Sequence, residues 1–201
     1  MIPKGIVACA AACVTVFLTY AAFADELVIS DPVGDKGPDM TFDIVSVSHS
    51  HSTATKNYPR FLAHTIKTEA DVSTSTLAQE NTEIRINFDT KGDWRFERSV
   101  VVRFTSEGIS ADMWRGGFPF GPGDFYEPND WIGFVRATRP DDRSVFVEFP
   151  RKLLGKLAQK SNPNSYRWMV EVYRMPWYKS FCGEGDASPC YDRAESARHR
   201  L

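Results

Sequence analysis

The feature that most restricts this chain is a two-residue hydrophobic alternation that returns along most of its length. Val45 and Val47 alternate with Ser46 and Ser48 within 41–50. Leu62, His64 and Ile66 share one face of 61–68, and Ile84, Ile86 and Phe88 one face of 83–88. Val100, Val102 and Phe104 repeat the pattern in 99–104, where Val101 makes both faces apolar. Tyr166, Trp168, Val170 and Val172 do so in 166–174, and strand signals also cover 26–30, 131–137 and 144–149. Side chains of an extended chain point alternately to opposite faces, so each segment reads as a strand with a buried face.

Strands follow one another with turn residues between them and no intervening helices, which argues against a parallel α/β sheet. Neither a Gly-rich phosphate loop nor a Gly-x-Ser-x-Gly elbow occurs. The expected fold is therefore all-β, an antiparallel β-sandwich of jelly-roll type with one short helix. The helix is expected over Arg151–Gln159, with Leu153, Leu154 and Leu157 on one side. Residues 112–130, rich in Gly, Pro and aromatics, read as a long structured loop or a pair of irregular turns, and the charged tail from Asp192 as a fraying end.

The N-terminus reads as a secretory signal peptide, residues 1–24. Lys4 precedes an apolar run from Ile6 to Tyr20, and Ala22-Phe23-Ala24 is a small-x-small cleavage site before Asp25-Glu26. The run is short for a spanning helix of about 20 residues. Cys9, in Ile6-Val7-Ala8-Cys9, comes too early for a lipobox. Residues 25–201 are then one exported domain, secreted or periplasmic, and not an integral membrane protein after cleavage. Of the four cysteines, Cys182 and Cys190 remain in that domain and are expected to form a disulfide stapling the C-terminal segment, with free thiols or a metal pair as the alternative. The formal net charge of −2 is spread without a basic stripe, so nucleic acid is not the expected partner.

Four groups of residues are candidates for chemistry. Asp31 and Asp35 bracket a Pro-Val-Gly turn, with Asp43 following; oxygen ligands on a tight turn suit calcium, and self-capping of an acidic turn is the alternative. Asp89-Thr90-Lys91-Gly92-Asp93 resembles half a calcium loop. Lys91 occupies a ligand position there, and a hairpin turn joining 84–88 to 99–104 is the reading preferred.

The third group is histidine: three of the four lie between 49 and 64. His49 and His51 share a face with Val45 and Val47, and His64 shares one with Leu62 and Ile66. If both apolar faces enter one core, parity puts all three histidines on one side of the sheet. A connection from Ser52 to Arg60 places His49 opposite His64 at about 5 Å, and three such imidazoles suit zinc or copper. Partly buried histidines satisfied by backbone and serine are the alternative. The fourth group is aromatic. Trp114, Tyr126 and Trp131, exposed beside Asp112, Asp124 and Asp130, would form a sugar-stacking platform. Folded back, they would close one end of the sandwich.

With these residues in place the chain resembles a group of secreted bacterial proteins whose domain is similar to the DOMON-like and family 9 carbohydrate-binding β-sandwiches. The likeness rests on Asp31-Pro-x-Gly-Asp35, on Asp43-Ile44-Val45-Ser46-Val47-Ser48-His49-Ser50-His51, on Leu62-Ala63-His64-Thr65 and on Phe88-Asp89-Thr90 with Asp93. It covers residues 28–105 and is thinner over Tyr166-Arg167-Trp168 and Cys182–Cys190. The resemblance implies a jelly-roll-like sandwich with a structural calcium near Asp31, Asp35 and Asp43. It also implies haem or sugar as ligand classes. Haem needs a Met/His axial pair, and no motif sets Met113 or Met169 opposite a histidine; sugar binding by paired tryptophans points to Trp114 and Trp131.

The function expected is thus an exported, non-catalytic binding or structural module whose partner is a glycan, another small ligand or a metal. The alternative is a metal-dependent hydrolase using the three histidines, although Asp43 is the one carboxylate on their alternating face.

Overall fold

The computed structural model describes residues 23–34, 42–52, 60–71, 73–79, 82–93, 96–116, 130–155, 165–174, 191–195 and 199–200. Residues 1–22, Asp35, Tyr126, Cys182 and Cys190 lie outside them, so most of the expected signal peptide, the expected disulfide and part of the expected calcium and sugar sites fall there. In chain order the elements are β1 (Phe23–Ser30), β2 (Ile44–Ser52), β3 (Phe61–Thr68), α1 (Thr74–Gln79), β4 (Thr82–Asp89), β5 (Arg98–Thr105), β6 (Gly108–Arg115) and β7 (Trp131–Asp141). They continue with β8 (Ser144–Pro150), a 3-10 turn (Arg151–Leu154), β9 (Ser165–Arg174), β10 (Tyr191–Glu195) and β11 (His199–Arg200). Among the described residues no helix is long and apolar enough to cross a membrane.

The fold is all-β and antiparallel, as the alternation requires. The strands form one continuous sheet in the order β1-β2-β3-β8-β7-β6-β5-β4-β9-β10, with β11 also on β9. β7 joins its two halves: Arg136–Asp141 pair with β8, and Trp131–Val135 with β6. The sheet rolls about β7 until its inner faces meet, and β10 comes to lie beside β1 and β2. The core is therefore enclosed between the two halves of a single rolled sheet.

Alternation fills the space between the halves. Val47, Leu62, Ile66, Val147 and Phe149 come from one half, and Ile84, Ile86, Phe88, Val100, Val102, Tyr166, Trp168, Val170 and Val172 from the other; all are buried in one cluster. Each large apolar side chain so buried contributes roughly 1.5–3 kcal/mol relative to exposure. Two tight hairpins fix register. Ser106-Glu107 joins β5 to β6, and Asp142-Arg143 joins β7 to β8, where the Asp141 carboxylate accepts the Arg143 N–H at 2.8 Å.

Three local expectations need correction. Of the helix expected over Arg151–Gln159, Arg151–Leu154 form a 3-10 turn that ends where Gly155 leaves helical geometry at φ 77°, and residues 156–159 lie outside the described residues. Instead, α1 lies at Thr74–Gln79, where Ser73 Oγ accepts the Thr76 N–H at 3.0 Å and Leu77 enters the core. Residues 108–115 form β6, so 112–115, expected to open the irregular stretch 112–130, are strand. Finally, the tail expected to fray supplies β10, paired with β9 along Tyr191–Glu195 and burying Ala194.

Candidate functional site

Position along β2 and β3 brings the histidines together as parity demands. The two strands pair antiparallel with His49 directly opposite His64, and His51 one same-face pair further on, opposite Leu62. All three are buried, and His49 and His64 have no exposed surface. The His49 and His64 rings lie 4.4 Å apart at a 40° tilt. His64 stacks against Phe149 at 6.3 Å and meets Phe88 and Trp168 edge-on at 5.5 and 5.0 Å. From the opposite half of the sheet, Tyr166 reaches across so that its hydroxyl and His49 Nε2 are 2.6 Å apart. Burial holds the Tyr166 phenol well above its usual range, with nearby Arg151 opposing the shift. The imidazoles are thus core groups in an aromatic box.

The acidic turns fold onto their own backbone. Asp43 Oδ2 accepts the Gly34 N–H at 2.9 Å, closing the turn that starts at Asp31, with Gly34 at φ 91°. In the β4–β5 connection, which is the hairpin turn expected, Asp89 Oδ1 accepts the N–H groups of Lys91, Gly92 and Asp93. Glu97 Oε2 accepts the N–H and hydroxyl of Thr90, both at 2.9 Å, and Glu97 Oε1 lies 3.3 Å from the Lys91 ammonium. Among the described residues, Asp89, Asp93 and Glu97 are the one trio of His, Cys, Asp or Glu whose ligand atoms all lie within 4.8 Å of one another. The three histidines do not form such a trio.

On the outer face of β6 and β7 the aromatic residues meet solvent. Trp114 pairs with Trp131 across the strands, and a register irregularity next to this pair brings Phe134, opposite Asp112, onto the same face. Phe134 is 81% exposed and Trp131 45%, and their rings meet edge to face at 5.3 Å. The Trp131 indole N–H donates to Asp112 Oδ1 at 3.3 Å, while Arg103 holds Asp112 Oδ2 at 3.0 Å. The Arg103 guanidinium also lies 6.0 Å from the Trp114 ring centre.

Sequence reading named Trp114 and Trp131 but missed Phe134, because three residues apart on a regular strand means opposite faces. The register irregularity that realigns them leaves no simple pattern. It also missed Tyr166 as the partner of His49. The alternation placed Tyr166 inward, yet nothing local says which strand of the other half it meets. Comparison with family models, curated proteins and solved structures finds no match to this chain.

Proposed function

We propose that this chain is a non-catalytic glycan-binding module that stacks a sugar ring on Trp131 and Phe134. The observation carrying this reading is a pair of exposed, mutually packed rings on the outer face of β7, with the Asp112–Arg103 ion pair at their edge. An exposed apolar patch rimmed by charge is the mark of a contact surface. A pyranose presents a C–H face for the rings and hydroxyls for a carboxylate and a guanidinium, which is the chemistry this patch offers. A stable protein partner needs about 800 Å² on each side, much more than two rings offer.

Burial speaks against the hydrolase reading. A catalytic zinc keeps an open position for water and substrate, whereas His49 and His64 are sealed among Phe88, Phe149, Trp168 and Tyr166. A glycan array probed with the full chain and with the Trp131→Ala/Phe134→Ala variant tests the reading. Retention of glycans by wild type alone supports it. Identical array profiles for the two proteins, or an empty array for wild type, would defeat it.

A further inference from the structure

One mouth of the rolled sheet is lined by arginine. On β5 and β6, Arg98 and Arg115 stand directly opposite each other, and Arg98 is also opposite core Phe88, so both continue the inward-facing rows. In the other half, Leu62 and Phe149 are a core pair, and Arg60 and Arg151 flank that pair on the same rows, tied by the Arg151 N–H to the Arg60 carbonyl at 2.9 Å. The two pairs meet at the 3-10 turn, where Arg98 Nε donates to the Leu153 carbonyl at 3.3 Å.

Like charges directly opposite across strands are destabilising, and this fold sets two such pairs at one end. Burial, and then Arg115, weakens the hold of Arg98 on its proton; burial, and then Arg60, does the same to Arg151. Glu97 opposes this shift at Arg98, ranking behind burial and Arg115, and its backbone carbonyl accepts from Arg98 Nη1 at 2.6 Å. Among the described residues, Arg60, Arg98 and Arg115 form no ion pair with a carboxylate, and Arg60 Nε is a buried donor with no acceptor. Tyr166, which meets His49, lies near Arg151 and partly opposes the shift there.

We propose that this mouth binds a tetrahedral oxyanion, a phosphate or sulfate group, held between the Arg60/Arg151 and Arg98/Arg115 pairs. Guanidinium forks offer several N–H groups in the geometry that such oxygens accept. One bound anion relieves the repulsion in both pairs. The site stands apart from the outer aromatic patch and does not depend on its role.

Thermal unfolding and calorimetric titration of the full chain with inorganic phosphate, inorganic sulfate and glucose 6-phosphate, each against sodium chloride of equal ionic strength, test this. An oxyanion should raise the unfolding midpoint beyond the chloride control. Tighter binding of the ester than of free phosphate assigns an esterified ligand, and equal or weaker binding assigns the free anion. Arg60→Gln and Arg115→Gln should each raise the midpoint in chloride and weaken oxyanion binding at least tenfold, whereas Arg136→Gln, on the outer face, should leave binding unchanged. Wild-type protein that does not distinguish any of the three oxyanion ligands from chloride overturns the proposal, whatever the variants do. So does a folded Arg60→Gln/Arg115→Gln protein that binds phosphate as wild type does.

Discussion

The His49–His64 pair and the Trp131–Phe134 pair are built alike and end in opposite environments. Each places rings from one strand or two adjoining strands in contact, at 4.4 and 5.3 Å. The first faces the opposite half of the sheet and is sealed; the second faces solvent. What separates them is the side of the sheet, so the chemistry open to each follows from topology more than from residue type. A buried imidazole pair can hold the two halves in register through Tyr166. An exposed ring pair beside a carboxylate can meet a ligand.

The comparison breaks most sharply by truncation. Phe149→Ala, which removes a ring packed on both His64 and Phe88, should cost about 3–5 kcal/mol of stability. Urea unfolding checks this, and a loss below about 1 kcal/mol would mean the box is not packed as described.

The polar seam inside the box comes next. His49→Phe leaves the Tyr166 hydroxyl without this partner and should cost about 1–3 kcal/mol, while adding Tyr166→Phe should restore most of the loss. A double-mutant cycle measures the coupling, and additive losses would show that the 2.6 Å contact contributes nothing.

The same tyrosine gives an alkaline signature. In the unfolded chain the phenol ionises near about pH 10, while burial raises it in the folded protein. Below that pH both states keep the proton and the full stability is present. Above it, the unfolded state alone loses protons, so stability falls by up to about 1.4 kcal/mol per pH unit. Urea midpoints on either side of this pH should therefore diverge in wild type and diverge less in Tyr166→Phe.

How far the sequence discloses all this differs between the two regions. The inner face was legible because it obeys a strict period: Val47, His49, Leu62, His64, Tyr166 and Trp168 all lie inward where alternation puts them, and even the pairing of His49 with His64 follows from loop length. Phe134 was not legible, because the register irregularity beside Trp131 interrupts the period. The buried polar layer on the outer face of β4 and β9 was hidden for a different reason. Glu83, Arg85, Asn87 and Glu171 look like a solvated strand face, yet Arg85 is 2.6 Å from Glu83, Asn87 donates to Glu171 at 2.8 Å, and all four are buried. Polarity in a single strand does not reveal burial when the partner group arrives from a distant one.

The smallest expected effect on stability is on the outer pair. Trp131→Ala and Phe134→Ala should each change stability by no more than about 0.5 kcal/mol, since exposed rings contribute little to folding. That near-silence makes the outer pair the place where binding can be read without a folding artefact.

The most direct measurement is calorimetric titration of the strongest array glycan into wild type, Trp131→Ala, Phe134→Ala and the His49→Phe/Tyr166→Phe double variant, with the unfolding midpoint of each recorded alongside. The expected result is affinity lowered at least about tenfold, or about 1.4 kcal/mol, in both outer variants at unchanged midpoint, and affinity preserved in the core variant. Wild-type affinity in Trp131→Ala and Phe134→Ala, with binding lost only in the core variant, would contradict the assignment of the glycan site to the outer face.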